Sequence, residues 1–291
     1  MYEWFIIIFV ILVAILVLLI FFYTKYQQNT NQNNCITIDD YKTVETHHTV
    51  EPCDKINLFV EYYLCKSVER QNEIDFVLKN NYNQKAIDHL YIIVHNDDEY
   101  IRVSSLIVID KKRASIILID NPRPTYGEIF SLIDSYLTRD DEINILCNSD
   151  IAFDETINYC RKLRVTEALA LTRWNVEKEI YDHILLNGSL QSEPKWTQDT
   201  WIVKGRPHSA LKKISFSTGL LRCDNKIAYI LAKECGYTVF NPCKSIKTYH
   251  IHKSGIRNYK EIDVSRLHPS KYTEYGVVEG IGAFVPGIVW P

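Results

Sequence analysis

Between Asn144 and Asp154 the chain reads NILCNSDIAFD, an apolar run followed at once by Asn148, Asp150 and Asp154. Residues two apart in an extended segment point to the same side, so the Asn148 amide and the Asp150 carboxylate are expected to meet at one point. One carboxylate, one amide oxygen and open positions suit Mg²⁺ or Mn²⁺ held against a nucleotide pyrophosphate. Asp154 reads instead as the N-cap of a helix that starts at Glu155. A second cluster lies in KTYHIHKSGIRNY, Lys247 to Tyr259. There His250 and His252 alternate onto one face and can approach one ion. Lys253 and Arg257, in the same stretch, carry charge suited to phosphate.

Two further carboxylates stand out by their neighbours. Asp199 lies between Trp196 and Trp201 in WTQDTWIVKG. Flat aromatics beside a carboxylate suit a sugar, and equally suit a cross-strand aromatic pair in a core. Asp224 opens the helical pattern of DNKIAYILAKECG, after a loop that holds Gly219. It can cap that helix, or it can take a proton from a hydroxyl as a general base. Ile227, Ala228, Ile230, Leu231 and Cys235 form the predicted buried stripe, and Gly236 the stop.

These groups need elements to hold them. Ile56–Cys65 and Ile87–Asn96 read as strands, the second ending in an acidic turn at Asp97, Asp98 and Glu99. Apolar runs closing at Asp110 (SLIVID) and Asp120 (ASIILID), the run EINILC, and ALALTRW are read with them. Helices are predicted from Ser67, as N-cap, to Asn80, with Val68, Ile74, Val77 and Leu78 as a partial stripe. Further helices are predicted over Thr125–Leu137, with Thr125 and Glu128 as a capping box, and over Asp154–Leu163. Strands alternating with helices predict an α/β fold, a mainly parallel sheet covered on both faces. Ligands of such sheets sit at the carboxyl ends of the strands. That rule selects His95–Glu99, Asp120–Arg123 and Asn148–Asp154, and so adds Asp120 and Arg123 to the candidate binding residues.

The ends of the chain differ from its middle. Trp4 to Tyr23 is an apolar block, WFIIIFVILVAILVLLIFFY, of 20 residues. As a helix it spans about 30 Å, the thickness of a bilayer core. Aromatics stand at both of its ends, and the basic start and small-residue cleavage site of a signal peptide are absent. This predicts a short tail (1–3), a single-pass anchor (4–23) and a flexible stem (24–50) rich in Asn and Gln. The His47–His48 pair falls in that stem and reads as solvated. Lys25 and Lys42 follow the apolar block and no Lys or Arg precedes it, which leans toward a cytoplasmic C-terminal domain. The soluble domain is read over 51–268 and an irregular tail over 269–291. The formal net charge of −3 argues against a nucleic-acid binder that works through net positive charge. The eight cysteines contain no CxxC pair, and read as buried thiols acting as small apolar residues.

In order along the chain, ILIDNPRPTYGEIF, NSDIAFD, TQDTWIVKG, GLLRCDN and TYHIHKSGIRNY resemble the GT-A-fold glycosyltransferases, in particular small ones of large DNA viruses. The resemblance runs from about Ile56 to Tyr259. It implies a Rossmann-like sheet flanked by helices. It also implies transfer of a hexosyl or deoxyhexosyl group from a nucleotide-diphosphate sugar to a hydroxyl of a glycan, protein or lipid. The family's DxD motif holds a divalent cation, Mn²⁺ or Mg²⁺, on the diphosphate. Asn148-Ser149-Asp150 resembles it with Asn in the first place, which leaves Asp150 as the motif's only carboxylate. A histidine farther on commonly completes that metal site, here His250, with His252 as runner-up. Gly219 and Asp224 match the family's glycine loop and the acidic residue that acts as base in inverting members. Asp199 is then a contact for sugar hydroxyls and the alternative base. Asp120, Arg123, Asn148, Lys253 and Arg257 are the donor-binding candidates. On this reading the protein works at an endomembrane, host membrane or virion membrane, and nucleic acid is not a partner. Two other readings stay open. One is a nucleotidyltransferase, which would usually show a Gly-rich phosphate loop near its start. The other is a non-catalytic, membrane-anchored protein with a degenerate transferase fold.

Overall fold

The computed structural model describes residues 55–176, 187–191, 197–220 and 223–256. The anchor, the stem and the tail read from the sequence lie outside the described residues, as do Trp196 and Arg257. Among the described residues no helix is long and apolar enough to cross a membrane.

Strand β1 (Ile56–Glu61) is followed by helix α1 (Val68–Asn83) and β2 (His89–Val94). Helix α2 (Asp97–Leu106) leads to β3 (Ala114–Leu118), and α3 (Tyr126–Tyr136) leads to β4 (Ile143–Cys147). A short β5 (Ile151–Phe153) and a 3-10 helix (Glu155–Lys162) precede β6 (Glu167–Thr172). Two very short strands follow, β7 (Trp174–Asn175) and β8 (Ser189–Leu190), and then the longer β9 (Gln198–Lys204). A 3-10 turn (Leu211–Lys213) comes before α4 (Cys223–Tyr229), which continues as a π-helical turn (Ile230–Glu234). Strands β10 (Thr238–Phe240) and β11 (Thr248–His250) are the last described elements.

Seven strands form one sheet in the order β10-β6-β9-β4-β1-β2-β3. All run parallel except β9, which is antiparallel to both of its neighbours, β4 and β6. The expected α/β, mainly parallel sheet is therefore present. The inner strands are buried on both faces, as their unbroken apolar sequences require. Their side chains alternate between two cores. Leu58, Val60, Leu90, Ile92 and Ile145 meet Ile74, Leu78 and Val103 of α1 and α2 on one face. Phe59, Tyr91, Ile93 and Leu146 meet Tyr126, Ile129 and Phe130 of α3 and Ile227 of α4 on the other. A second, four-stranded sheet, β5-β11-β7-β8, lies next in the chain to the carboxyl end of β4.

Several local expectations are corrected. The acidic turn after β2 is the first turn of α2, with Asn96 as its N-cap accepting from the Glu99 N–H at 2.9 Å. The run Ser105–Asp110 is the end of that helix and a connection, not a strand. Val68 is 70% exposed and leaves the buried stripe of α1, whose place Arg70 takes at 4%. The capping box of α3 forms as read, with Thr125 and Glu128 bonded reciprocally. Asp154 caps the 3-10 helix, accepting from the Thr156 N–H at 3.0 Å. Of the six described cysteines, Cys147, Cys223 and Cys243 are buried free thiols, and Cys160 is buried as well.

Candidate active site

A cleft of about 340 Å³ opens where the carboxyl ends of β1 and β4 meet the start of β9. Its wall includes Glu61, Arg70, Arg123, Asn148, Asp150 and Arg173, and farther round Asp199, Gly219, Asp224, His250 and His252. The reversed direction of β9 brings Asp199 there. Because β9 is antiparallel, its first residues lie beside the last residues of its neighbours, with Cys147 of β4 opposite Thr200 and Thr172 of β6 opposite Gln198. The Asn148 N–H then donates to the Asp199 carbonyl at 3.0 Å and ties the two ends together.

Asn148, Ser149 and Asp150 form a turn rather than an extended segment, closed by the Ile151 N–H donating to the Asn148 carbonyl at 3.2 Å. The alternation argument for Asn148 and Asp150 therefore does not apply, although both line the cleft. Another pairing gathers the ligands instead. Strand β11 runs antiparallel to β5 with His250 opposite Ile151, and the Ile251 N–H donates to the Asp150 carbonyl at 2.8 Å. That register sets His250 Nε2 3.2 Å and His252 Nδ1 3.4 Å from Asp150 Oδ2. One ligand atom from each of the three residues lies within 4.8 Å of the others. Cis ligands at about 2.1 Å from an ion stand roughly 3 Å apart, so the donor set fits a divalent cation. Buried His252 Nε2 has no hydrogen-bond partner.

Arg70 was not singled out from the sequence. Its guanidinium reaches the same carboxylate oxygen, with Nη2 2.7 Å from Asp150 Oδ2. Nη1 donates to Glu73 Oε2 at 2.9 Å and to the Ile251 carbonyl at 3.0 Å. Burial alone would raise the Asp150 carboxyl, but His250, His252 and Arg70 more than offset it and hold it well below the usual carboxylate range.

The second group lies across the cleft. Asp199 is 1% exposed and ion-paired with Arg173 at 2.9 Å. Arg173 follows β6 at once, so the strand-end rule would have found it. Asp224 is the second residue of α4 and sits inside its first turn, not at the cap. Gly219, in the loop before it, has a φ of +67°, a conformation that glycine adopts without strain. Desolvation first, and the Asp199 charge second, push the Asp224 carboxyl well above its ordinary value. Beside it, Cys223 Sγ stands 3.3 Å from Asp224 Oδ1 and accepts from the Tyr126 hydroxyl at 3.3 Å.

The remaining candidates separate. Arg123 lines the cleft, while Asp120 and Lys253 are exposed and do not belong to its wall. Trp201 is 2% exposed and meets Tyr126 of α3 edge-on at 5.4 Å, so it packs in the core at the cleft wall, against a helix rather than in a cross-strand pair. Glu61, the last residue of β1, was also missed. It accepts from the Thr218 hydroxyl at 2.8 Å, and its Oε1 lies 3.0 Å from His95 Nε2, fastening β1 and β2 to the loop of Gly219.

No protein-family model matches the chain, and no curated protein matches it. Among solved structures it is similar to 4-diphosphocytidyl-2C-methyl-D-erythritol synthase from Anaerococcus prevotii. The identity is 11% and the TM-score 0.43, over 73% of this chain and 93% of that one. It is also similar to the mannosyltransferase PcManGT from Pyrobaculum calidifontis, solved with GDP-Man and Mn²⁺. That match has 11% identity and a TM-score of 0.44, over 70% of this chain and 60% of that one. A third is S. aureus TarS 1-349, at 12% identity and a TM-score of 0.42, over 67% of this chain and 60% of that one. At such values the functional reading rests on the side chains of the cleft.

Proposed function

We propose that the protein is a membrane-anchored, cation-dependent glycosyltransferase. It takes a sugar from a nucleotide-diphosphate sugar and passes it to a hydroxyl of a glycan, protein or lipid, with inversion. One observation carries the reading. A carboxylate–imidazole–imidazole group and a carboxyl with a raised proton affinity share one cleft at the strand ends. The first set suits a cation on a diphosphate, and the second suits proton transfer from an acceptor.

Asp150, His250 and His252 would hold the cation, with Asn148 assisting. Two imidazoles favour Mn²⁺ over Mg²⁺, which prefers oxygen ligands. When bound, the cation would neutralise charge on the departing diphosphate. The acceptor oxygen bonds to the anomeric carbon as the bond to the diphosphate oxygen breaks, and that oxygen keeps the electron pair. The acceptor proton passes to Asp224, whose affinity for it is raised. Asp199, fixed by Arg173, contacts sugar hydroxyls and is the alternative base. Arg123 contacts the donor phosphates, with Arg257 a further candidate; Lys253, outside the cleft wall, is not assigned a donor contact. Residues 4–23 anchor the chain in an endomembrane, host membrane or virion membrane, 24–50 form a stem, and 51–268 carry the chemistry.

The test is release of nucleoside diphosphate from a panel of nucleotide sugars with Mn²⁺. Asp150→Ala is expected to abolish both transfer and donor hydrolysis. Unchanged turnover in that variant would overturn the site. Release of pyrophosphate from a nucleoside triphosphate would instead make the protein a nucleotidyltransferase. A product that keeps the donor's anomeric configuration would remove Asp224 as an inverting base.

A further inference from the structure

The Arg70 guanidinium stands directly against the cation group. Its side chain is 4% exposed and shares Asp150 Oδ2 with both histidines, at 2.7 Å against their 3.2 and 3.4 Å. Asp150 is the only carboxylate in the Asp150–His250–His252 group. Imidazoles that act as ligands are neutral and add no charge. The guanidinium therefore cancels the one negative charge that the group offers an incoming dication. Glu73 restores that charge by count but from the far edge of the guanidinium, away from Asp150 Oδ2. Its carboxylate sits on the other edge of the guanidinium, at 2.9 Å from Nη1, and also accepts from the Ser254 N–H at 2.6 Å and hydroxyl at 2.9 Å.

Counting Asp150, Glu73 and Arg70 together, one net negative charge faces an ion that carries two positive ones. A buried surplus of charge is costly. A diphosphate supplies the missing anion, and a guanidinium is well suited to bind one of its oxygens. Arg70 is placed for that role. It lines the cleft, and its Nε is buried with no hydrogen-bond partner.

Resting on the cation reading above, we propose that Arg70 is a built-in counter-cation that makes capture of the divalent ion conditional on the diphosphate. The ion is held weakly by the protein alone and firmly only when the donor's phosphates arrive with it. Free Mn²⁺ then does not saturate the cleft. By linkage, the ion strengthens diphosphate binding by the same factor as the diphosphate strengthens its own.

The test is Mn²⁺ binding to the full chain, read by loss of the free-ion electron paramagnetic resonance signal, with and without UDP or GDP. In the wild type, either diphosphate that binds is expected to tighten Mn²⁺ about tenfold or more, within the usual range of site-to-site coupling. Arg70→Gln keeps a neutral donor and removes the charge. It is expected to bind Mn²⁺ alone roughly tenfold more tightly and to lose most of the diphosphate dependence. Glu73→Gln removes the flanking anion and is expected to act in the opposite direction, weakening Mn²⁺ binding in the absence of diphosphate. Melting curves show which variants fold. If Arg70→Gln does not fold, Glu73→Gln decides the matter alone. Mn²⁺ binding to the wild type that neither variant shifts, or that Arg70→Gln weakens, would overturn the role of Arg70 and leave the cation site standing. No Mn²⁺ binding to any form, with or without diphosphate, would overturn the cation site and this inference with it.

Discussion

The Asp224 carboxyl is raised by two causes of unequal reach. Burial is the larger, and the charge of Asp199 is the second. Asp199→Asn removes the second cause and releases Arg173, whose charge pulls Asp224 the same way, downward. If Asp224 is the base, the rising limb of kcat/KM against pH marks its deprotonation. That limb is expected to move to lower pH in Asp199→Asn, measured against one fixed acceptor. A limb that stays in place or moves upward would assign the base elsewhere. The stability of the fold carries the opposite sign. A carboxyl raised by folding contributes stability that is complete below about pH 4, its ordinary value, and is lost as pH rises through the raised value. The pH that makes the base competent is thus also the pH at which Asp224 holds the fold least. Asp150 was legible from its residue type and its place just after β4, and His250 from its alternation with His252. Arg70 also left a mark. Arg70, Ile74, Val77 and Asn81 fall at helical spacing, so a charge stands on the buried stripe of α1. Its partner, Asp150, is 80 residues away, which no local pattern reveals.

Elements were legible where local chemistry decides them and obscure where connections do. The capping box of α3 is a local signature, and so are the doubly buried runs of β1, β2 and β4. The start of α2 had one as well, since Asn96 followed three residues later by Glu99 is a capping pattern. Its polar sequence and single buried apolar side chain within the helix, Val103, hid the stripe behind that signal. The direction of β9 had no local sign. QDTWIVK is buried on both faces like its parallel neighbours, and only the connection before it fixes which way it runs. That reversal is what delivers Asp199 to the cleft. Close packing adds a prediction at this scale. Gly127, in the first turn of α3, donates its N–H to the Ile214 carbonyl at 3.1 Å. A Cβ there would meet that carbonyl oxygen, and the Lys212 carbonyl oxygen at 2.8 Å. Both are backbone atoms that cannot rotate aside. Gly127→Ala is expected to cost about 1–3 kcal/mol, read by denaturant unfolding, as overpacked sites generally do. A loss below a few tenths would show that the turn at 211–213 moves freely, and with it the support of Tyr126 at the cleft wall.

At the scale of the whole molecule, the near-neutral charge and the apolar start answer different questions. A net charge of −3 gives no general attraction to phosphate, so the positive charge for a donor must be local. Arg70, Arg123 and Arg173 supply it at the cleft. The apolar block at 4–23 bears on location instead, and it carries no charged side chain to make insertion costly. A transmembrane helix inserts effectively irreversibly, unlike a peripheral protein that adsorbs, so the proposed anchor has a clear signature. The full chain is therefore expected to sediment with membranes and to stay there through high salt and alkaline carbonate. A chain lacking residues 1–23 is expected in the soluble fraction. Its turnover of a small soluble acceptor should match the full chain, because none of the cleft residues lies in the deleted part. Its rate on a membrane-embedded acceptor should fall, since the anchor concentrates enzyme and acceptor on one surface. Carbonate extraction that releases the full chain would remove the anchor from the account while leaving the chemistry of the cleft untouched. Loss of turnover on the soluble acceptor would show instead that the first 23 residues support the catalytic domain itself.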